Sequence, residues 1–599
     1  MPPRQNQQNE SPRWVKPVVL ATIFLTAAFL RFFRLGQKPL WLSEIQELVA
    51  ARSPRWLAQI LDSGTDVVGF TWNHLVFAVG LEPGEFATRT LAAICATATI
   101  PVTYLLGRRL HSQVAGTVAA ILLGLSFYHV YHSQDARAVS YLTFFYALSW
   151  LAMTELFFFG AGKKLGRRIA WTTVYAVSAG LAGLSHAIGG IYLLVQGLFF
   201  IFMSLWPAWR TAPQFRTLKS ATLLRRCLIP ALAALPICLI QLYVIADYAF
   251  AFLVTRNPVA HSVEIQDLFL VRLYLAHLAG GLLVLQVVQA LLFLAGIFFA
   301  GLRRSWSAAL LGCWFFIPTT ALYIVTTGGG IARFEMYHLL PCIVPFVLGV
   351  GVGLTRIVQL VALRAGLAKA WVPVAIIGLA VLLQLGASGG QLVRYYKRPI
   401  RLYMGEDVRS AAQVLADSKL TGEDVILLNY DEHMAPVNFY GGAELAKARV
   451  VVPWRSPNPN WQYHLLTRAW FQSTDSDVFR LLPDQIETLE EYRERGAPGS
   501  RVFALYYWMP SMERKGYDDY YRWLTGCDVY VRKPFVNDSS LPAGFTVHRM
   551  PGVDLVVSDP TAHTALQALD ILVPLTYSNA PPLLRDLAPD VYGSIAGAH

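Results

Sequence analysis

The residues able to do chemistry in this 599-residue chain gather in a few short stretches. Glu44 and Glu47 stand in "LWLSEIQELVAARSPRW", just after an apolar run. Three positions apart, they share a face if the segment is helical. A carboxylate there can take a proton from an attacking hydroxyl, or it can simply form the wet side of an interfacial helix. His74, in "WNHLVF", is a second kind of base, with an ordinary pKa of about 6.5. "YHSQDAR" sets Ser133, Gln134, Asp135 and Arg137 ahead of another apolar run, His186 precedes "AIGG", and "RFEMYH" carries Arg333 and His338. Arginine grips phosphate oxygens with paired, charge-assisted hydrogen bonds, and histidine adds donors. Each residue has a plainer reading: Asp135 and Arg137 can pair at a helix end, His186 can be a satisfied buried histidine, and Arg333 can anchor at an interface.

The elements that position these groups are set by a membrane. The chain is 55% hydrophobic and 15% charged, with a mean hydropathy of +0.43, against about 25% charged for ordinary globular domains. Apolar runs long enough for a hydrocarbon core of about 30 Å fall near 17–35, 87–106, 113–132, 139–159, 169–186, 188–206, 228–246, 278–301, 307–326, 336–355 and 372–389. That predicts about eleven transmembrane helices between residues 17 and 390, after a disordered cytoplasmic stretch at 1–16, with the first run an uncleaved anchor.

Basic residues set the orientation. Arg108/Arg109, Lys163/Lys164/Arg167/Arg168, Arg210 to Arg226, Arg303/Arg304 and Arg356/Arg364/Lys369 mark inner loops, while Arg31, Arg34 and Lys38 oppose the pattern at the outer end of the first span. The outer loops are then 36–86 and 247–277, and an odd number of spans leaves residues 391–599 outside. The pI near 9.3 is therefore topological rather than a sign of nucleic-acid binding. Charges at membrane depth are costly, and every candidate above falls on the outer side, as a cleft for an anionic ligand requires. In the outer loop, "SEIQELVAARSPRWLAQILDS" reads as two short amphipathic helices in the interface, broken at Pro54.

Residues 391–599 read as a soluble α/β or α+β domain. A helix at Val408–Leu415 precedes a buried strand at Val425–Leu428; "ARVVVP" and "RVFALYYW" are further strands, and "FTVHRMPGVDLVVS" is a hairpin. Cys527 is the one cysteine clearly in this part, which predicts no internal disulfide there.

The succession "WLSEIQELVAA", "FATRTLAAICATATIPVTYLLGRRL", "HVYHSQDARAVSYLTFFYALS", "GLSHAIGGIYLL" and "RFEMYHLLPCIVPFVLGVGVGL" resembles the GT-C superfamily of polytopic glycosyltransferases. It is most similar to the bacterial branch related to protein O-mannosyltransferases and lipid A aminoarabinose transferases. The resemblance covers most of 17–390, and "HSQDAR" is its best segment, where the family typically has Ser-Gln-Glu-Ala-Arg. It implies inverting sugar transfer from a polyprenyl-phosphate donor to a glycan, lipid or protein acceptor, outside a bacterial inner membrane. By the same resemblance an outer-loop carboxylate is the base, with Arg137, Arg333, His338 and His186 on the donor phosphate and Ser133, Gln134 and Asp135 in support. Metal use varies in the family, so a divalent cation at Glu44 and Asp135 stays open.

The family's first loop carries Asp-Glu, where this chain has Ser43-Glu44. The base is then Glu44, Glu47 or His74, or the chain is a non-catalytic lipid-glycan binding or assembly protein. A flippase of lipid-linked sugars would instead want its charges near the midplane, and these gather at the span ends. "YYW" at Tyr506 and "YDDYYRW" at Tyr517 could stack on sugars, though such residues more commonly pack a core.

Overall fold

The computed structural model describes residues 15–40, 66–159, 164–205, 220–255, 274–328, 336–397, 407–428, 434–452, 486–495, 501–507 and 541–578, apart from short breaks within them. Of the first long loop it also describes Glu44, Ile45, Glu47, Leu48, Ala51 and Trp56. Ser43, Arg333, Cys527 and the 517–523 aromatics lie outside the described residues.

A helix stands at each expected apolar run. Length and apolarity alone qualify five of the described helices as membrane spans, or six if one bent pair counts as a span. The expected eleven is thus not reached on those criteria. α1 (Val15–Phe32) is short. After it come α2 (Val67–Ala78), α3 (Glu85–Leu110), α4 (Gln113–Gly124), α5 (Phe127–Ser133) and α6 (Val139–Phe157). The run at 113–132 is α4 plus α5, bent by 59°.

The cause of the bend is tertiary. Ser126 starts α5 as an N-cap, accepting from His129 N at 3.5 Å. Arg31, wholly buried on α1, reaches into the break. Its guanidinium donates to the carbonyls of Leu123 (3.3 Å) and Gly124 (3.1 Å) at the end of α4, to Ala27 O and to His129 Nδ1 at 2.6 Å. Carbonyls released at a helix end need such partners where water is scarce.

The remaining bundle helices, Leu165–Ser185, Gly189–Leu205, Ser220–Thr255, Leu283–Arg303, Ser305–Gly328, Ile343–Arg364 and Val372–Gln384, the last running on through a π turn (Leu385–Gly389) into Gly390–Lys397, surround a core rich in large rings. Trp150 stacks on Trp314 with centroids 5.0 Å apart. Elsewhere backbones touch. A Cβ on Gly296 would lie 1.9 Å from Gly349 O, and one on Gly353 would lie 2.0 Å from Leu292 O. Small residues permit this approach between membrane helices. Gly296→Ala is therefore expected to cost about 1–3 kcal/mol, seen as a lower thermal-denaturation midpoint in detergent. Gly190→Ala, which meets nothing within 4 Å, should leave that midpoint unchanged.

The trailing domain is α/β with an antiparallel edge. Its strands are β1 (Val425–Leu428), β2 (Arg449–Val452), β3 (Ile486–Thr488), β4 (Val502–Tyr507), β5 (Phe545–Met550) and β6 (Val553–Ser558), in the order β3-β2-β1-β4-β6-β5. β1 runs parallel to β2 and β4, and β6 runs antiparallel to β4 and β5. Alternation sends Ile426, Leu428 and Phe503 toward the helix Val408–Asp417, and Val425, Leu427 and Tyr506 toward the helix Ala565–Ser578. Tyr506 is fully buried and its hydroxyl donates to Leu572 O at 2.7 Å. It packs the core rather than offering a sugar-stacking face.

Candidate functional site

The site is built where the end of α1, the first loop, the α5–α6 junction and the end of the last bundle helix meet. Its frame is the pair Glu44–Arg89. Each is 1% exposed. Arg89, on α3, donates from Nε to Glu44 Oε1 (2.9 Å) and from its terminal nitrogen to Oε2 (2.6 Å). The same guanidinium donates to the carbonyls of Lys38 and Pro39, both at 2.8 Å. Glu44 Oε1 also accepts from Ala136 N at 2.8 Å, inside "HSQDAR". Both Glu44 oxygens are thereby engaged. Through these bonds Glu44, expected as base or cation ligand, ties the first loop to α3 and to the α5–α6 junction.

Gln134 makes the second tie. Its amide donates to the carbonyls of Leu30, Arg31 and Phe33, at 3.2, 3.1 and 2.9 Å, and its oxygen accepts from Tyr395 Oη at 2.8 Å. Ser133 turns to its own helix, donating to Val130 O at 2.5 Å. Asp135 and Arg137 do pair, at 3.3 Å, and Arg137 lies over the Tyr337 ring, 5.0 Å from its centre. Burial pushes the Asp135 carboxyl up to about 6, with Arg137 opposing the shift.

Glu47 is placed differently from Glu44. The residue is half-buried, yet its Oε2 is shut off from solvent and has no hydrogen-bond partner. Burial holds its pKa well above the usual carboxylate range, reinforced by Asp66, Glu44 and Asp135 and opposed by Arg137. Asp66 is buried at the N-cap of α2, where Oδ1 accepts from Gly69 N at 2.8 Å while Oδ2 has no partner. Its pKa is raised by burial, against backbone hydrogen bonds from Gly69 and Val68. A high pKa makes a carboxylate a stronger base once it is ionised.

Lys38 is a cation the sequence reading counted but did not place in the site. It hydrogen-bonds Tyr395 Oη and lies 3.8 Å from the centre of that ring and 5.1 Å from that of Tyr131. Burial, then Arg89, holds its pKa well below that of an ordinary lysine. Its one signal was its place in the loop expected, from the basic-residue pattern, on the outer side. Asp66 and Tyr395 were missed too.

His186 and His338 come together, 5.2 Å between ring centres, and the Tyr337 ring lies 4.4 Å from His338 on the way to Arg137. His132 and His277 flank Tyr128, each at 4.9 Å. His74 is elsewhere engaged: its Nδ1–H donates to Ala51 O at 2.9 Å and its ring stacks on Trp56 at 4.1 Å. Of the expected amphipathic segment the described residues Ile45, Leu48 and Ala51 are buried, while Pro54 and, Trp56 aside, the second stretch lie outside the described residues. For a divalent cation the fit is poor: Glu44 is taken by Arg89, Asp135 faces Arg137, and among the described residues no three His, Cys, Asp or Glu side chains group as metal ligands.

No protein-family model matches the chain, and no curated protein matches it. Among solved structures it is similar to ArnT from Cupriavidus metallidurans bound to undecaprenyl phosphate, at 16% identity and a TM-score of 0.49, over 91% of this chain and 98% of that one. It is also similar to the archaeal oligosaccharyltransferase AglB from Archaeoglobus fulgidus, in complex with an inhibitory peptide and a dolichol-phosphate, at 12% identity and a TM-score of 0.46, over 90% and 74% of the two chains.

Proposed function

We propose that the chain is a multi-pass membrane glycosyltransferase. It moves a sugar from a polyprenyl-phosphate carrier to a hydroxyl of a glycan, lipid or protein acceptor at the outer membrane face, with inversion and with Glu47 as base. The observation that carries this reading is the Glu47 carboxylate, with one oxygen unengaged, beside the Asp135–Arg137 pair at one end of an apolar bundle. The sequence resemblance points to the same reaction class.

In the proposed step the acceptor oxygen attacks the anomeric carbon and its proton passes to Glu47. The bond from that carbon to the phosphate oxygen breaks, and its electron pair leaves with the phosphate. Arg137 and Lys38 stabilise the charge that develops there, and His338 and His186 supply further donors behind Tyr337. Arg333 is kept as a phosphate ligand on the resemblance alone. The engagement of Glu44 by Arg89 favours a second reading, a lipid-phosphate binding protein that has lost its base.

Purified protein in liposomes, given radiolabelled polyprenyl-phosphate sugars and envelope acceptors, separates the two. Label should move to an acceptor. Arg137→Ala should raise the donor KM by about 10–100-fold, as expected for a lost charge-assisted contact of about 1.5–3 kcal/mol. Binding of polyprenyl phosphate without transfer from any donor would leave only the binding reading.

A further inference from the structure

The turn that carries Glu44 and Glu47 is gripped from two directions. On the bundle side stand Arg89 and Ala136, as described. On the other side stand residues of the trailing domain. Leu40 N donates to Tyr440 Oη at 2.6 Å, and Tyr440 Oη donates in turn to Glu85 Oε1 at 3.2 Å. Arg409 adds an ion pair to the same Glu85 oxygen at 2.8 Å and a hydrogen bond to Gln37 O at 2.9 Å. Between these polar contacts, Leu40, Ile45 and Leu48 form a buried apolar cluster with Phe77, Phe439 and Tyr440. Two of the three loop residues in that cluster, Ile45 and Leu48, flank Glu47 in sequence.

We propose that the trailing domain is a positioning element for the reaction, with Phe439 and Tyr440 pressing the acid-bearing turn against the bundle so that Glu47 is held in place and shielded from water. The inference rests on the reading of Glu47 as base. Asp66, Glu44, Asp135 and Arg137 are the charged groups that bear on Glu47. Where the trailing domain meets the bundle, Glu85 of α3 is matched by Arg409. The contact on this turn is therefore mainly apolar, and its effect on Glu47 comes through solvent exclusion. Burial is also the largest influence on the Glu47 pKa, so loosening the contact should lower it.

The test uses full-length protein in liposomes with Phe439→Ala, Phe439→Leu and Tyr440→Phe. Two readouts are followed: transfer kinetics against pH, and labelling of Glu47 by dicyclohexylcarbodiimide, a reagent for protonated buried carboxyls, followed by mass spectrometry. Phe439→Ala should lower kcat about ten-fold, the order expected for a slightly misplaced base, with donor KM within about two-fold. Both the kcat midpoint and the labelling midpoint should move to lower pH, and Phe439→Leu should restore them most of the way. Tyr440→Phe, which keeps the ring and loses the hydroxyl, should lower kcat a few-fold and carries the test if Phe439→Ala does not fold. A labelling midpoint that stays at the wild-type pH in folded Phe439→Ala protein overturns the proposal. A shifted midpoint in a protein that moves no sugar upholds the docking and overturns the transferase reading instead.

Discussion

Glu47→Gln should lower transfer by about 10²–10⁴-fold, the usual contribution of a general base, while donor binding stays near wild type. The amide keeps the size of the side chain and cannot accept the proton. The wild-type pH profile carries the same signature. Glu47 must be ionised to act, and burial together with Asp66 holds its pKa well above the usual range. Activity should therefore fall on acidification at a pH where an ordinary carboxylate base would still work. Asp66→Asn keeps a side-chain oxygen for Gly69 N and removes a neighbouring negative charge, so Glu47 ionises more readily. The midpoint of kcat should move to lower pH. Full activity in Glu47→Gln, with loss in His74→Ala, would hand the role of base to His74.

The difference between Glu47 and Glu44 was not legible in the sequence. Spacing put both on one face, and the family pattern drew attention to Glu44. What separates them is Arg89, far along the chain and inside the apolar run at 87–106. Sequence periodicity reports which face of a helix is apolar, and it says nothing about which distant guanidinium an acid will meet. Helix positions were readable because each follows from a local apolar run. The break in 113–132 was not, since its carbonyls are satisfied by Arg31, one of the residues that opposed the charge pattern.

α2 could have been read from Asp66 followed by a hydrophobic stretch, an N-cap signal. Five of the trailing domain's described strands fell where β-branched or aromatic runs stood, β1 being short and buried on both faces, while the three-residue β3 (Ile486–Thr488) was not read. Their parallel order was beyond reach, since it depends on which strands pair. Tyr395 went unnoticed for a similar reason: it follows the last apolar run by sequence, and only the fold brings it to Lys38 and Gln134.

Arg89→Met should be the most damaging single change to stability in the site, at about 3–5 kcal/mol, because removing one member of a buried pair strands the other charge. Glu44 would lose both guanidinium contacts. Glu44→Gln should cost less, for Arg89 keeps the carbonyls of Lys38 and Pro39, and the glutamine oxygen can still accept from Ala136 N. The double variant should be more stable than Arg89→Met alone, since no ionised acid is then left buried. Thermal-denaturation midpoints of the three proteins in one detergent test that order. Equal midpoints for Arg89→Met and the double variant would show that a stranded Glu44 charge is not the source of the loss. The same proteins separate structure from chemistry. Folded Glu44→Gln should retain most of the transfer that Glu47→Gln abolishes, because both Glu44 oxygens accept hydrogen bonds from Arg89 and Ala136, and a carboxylate paired to a guanidinium is a weaker base. If Glu44→Gln were the silent enzyme and Glu47→Gln the active one, the base would be Glu44 and its bond to Arg89 would have to open during the reaction.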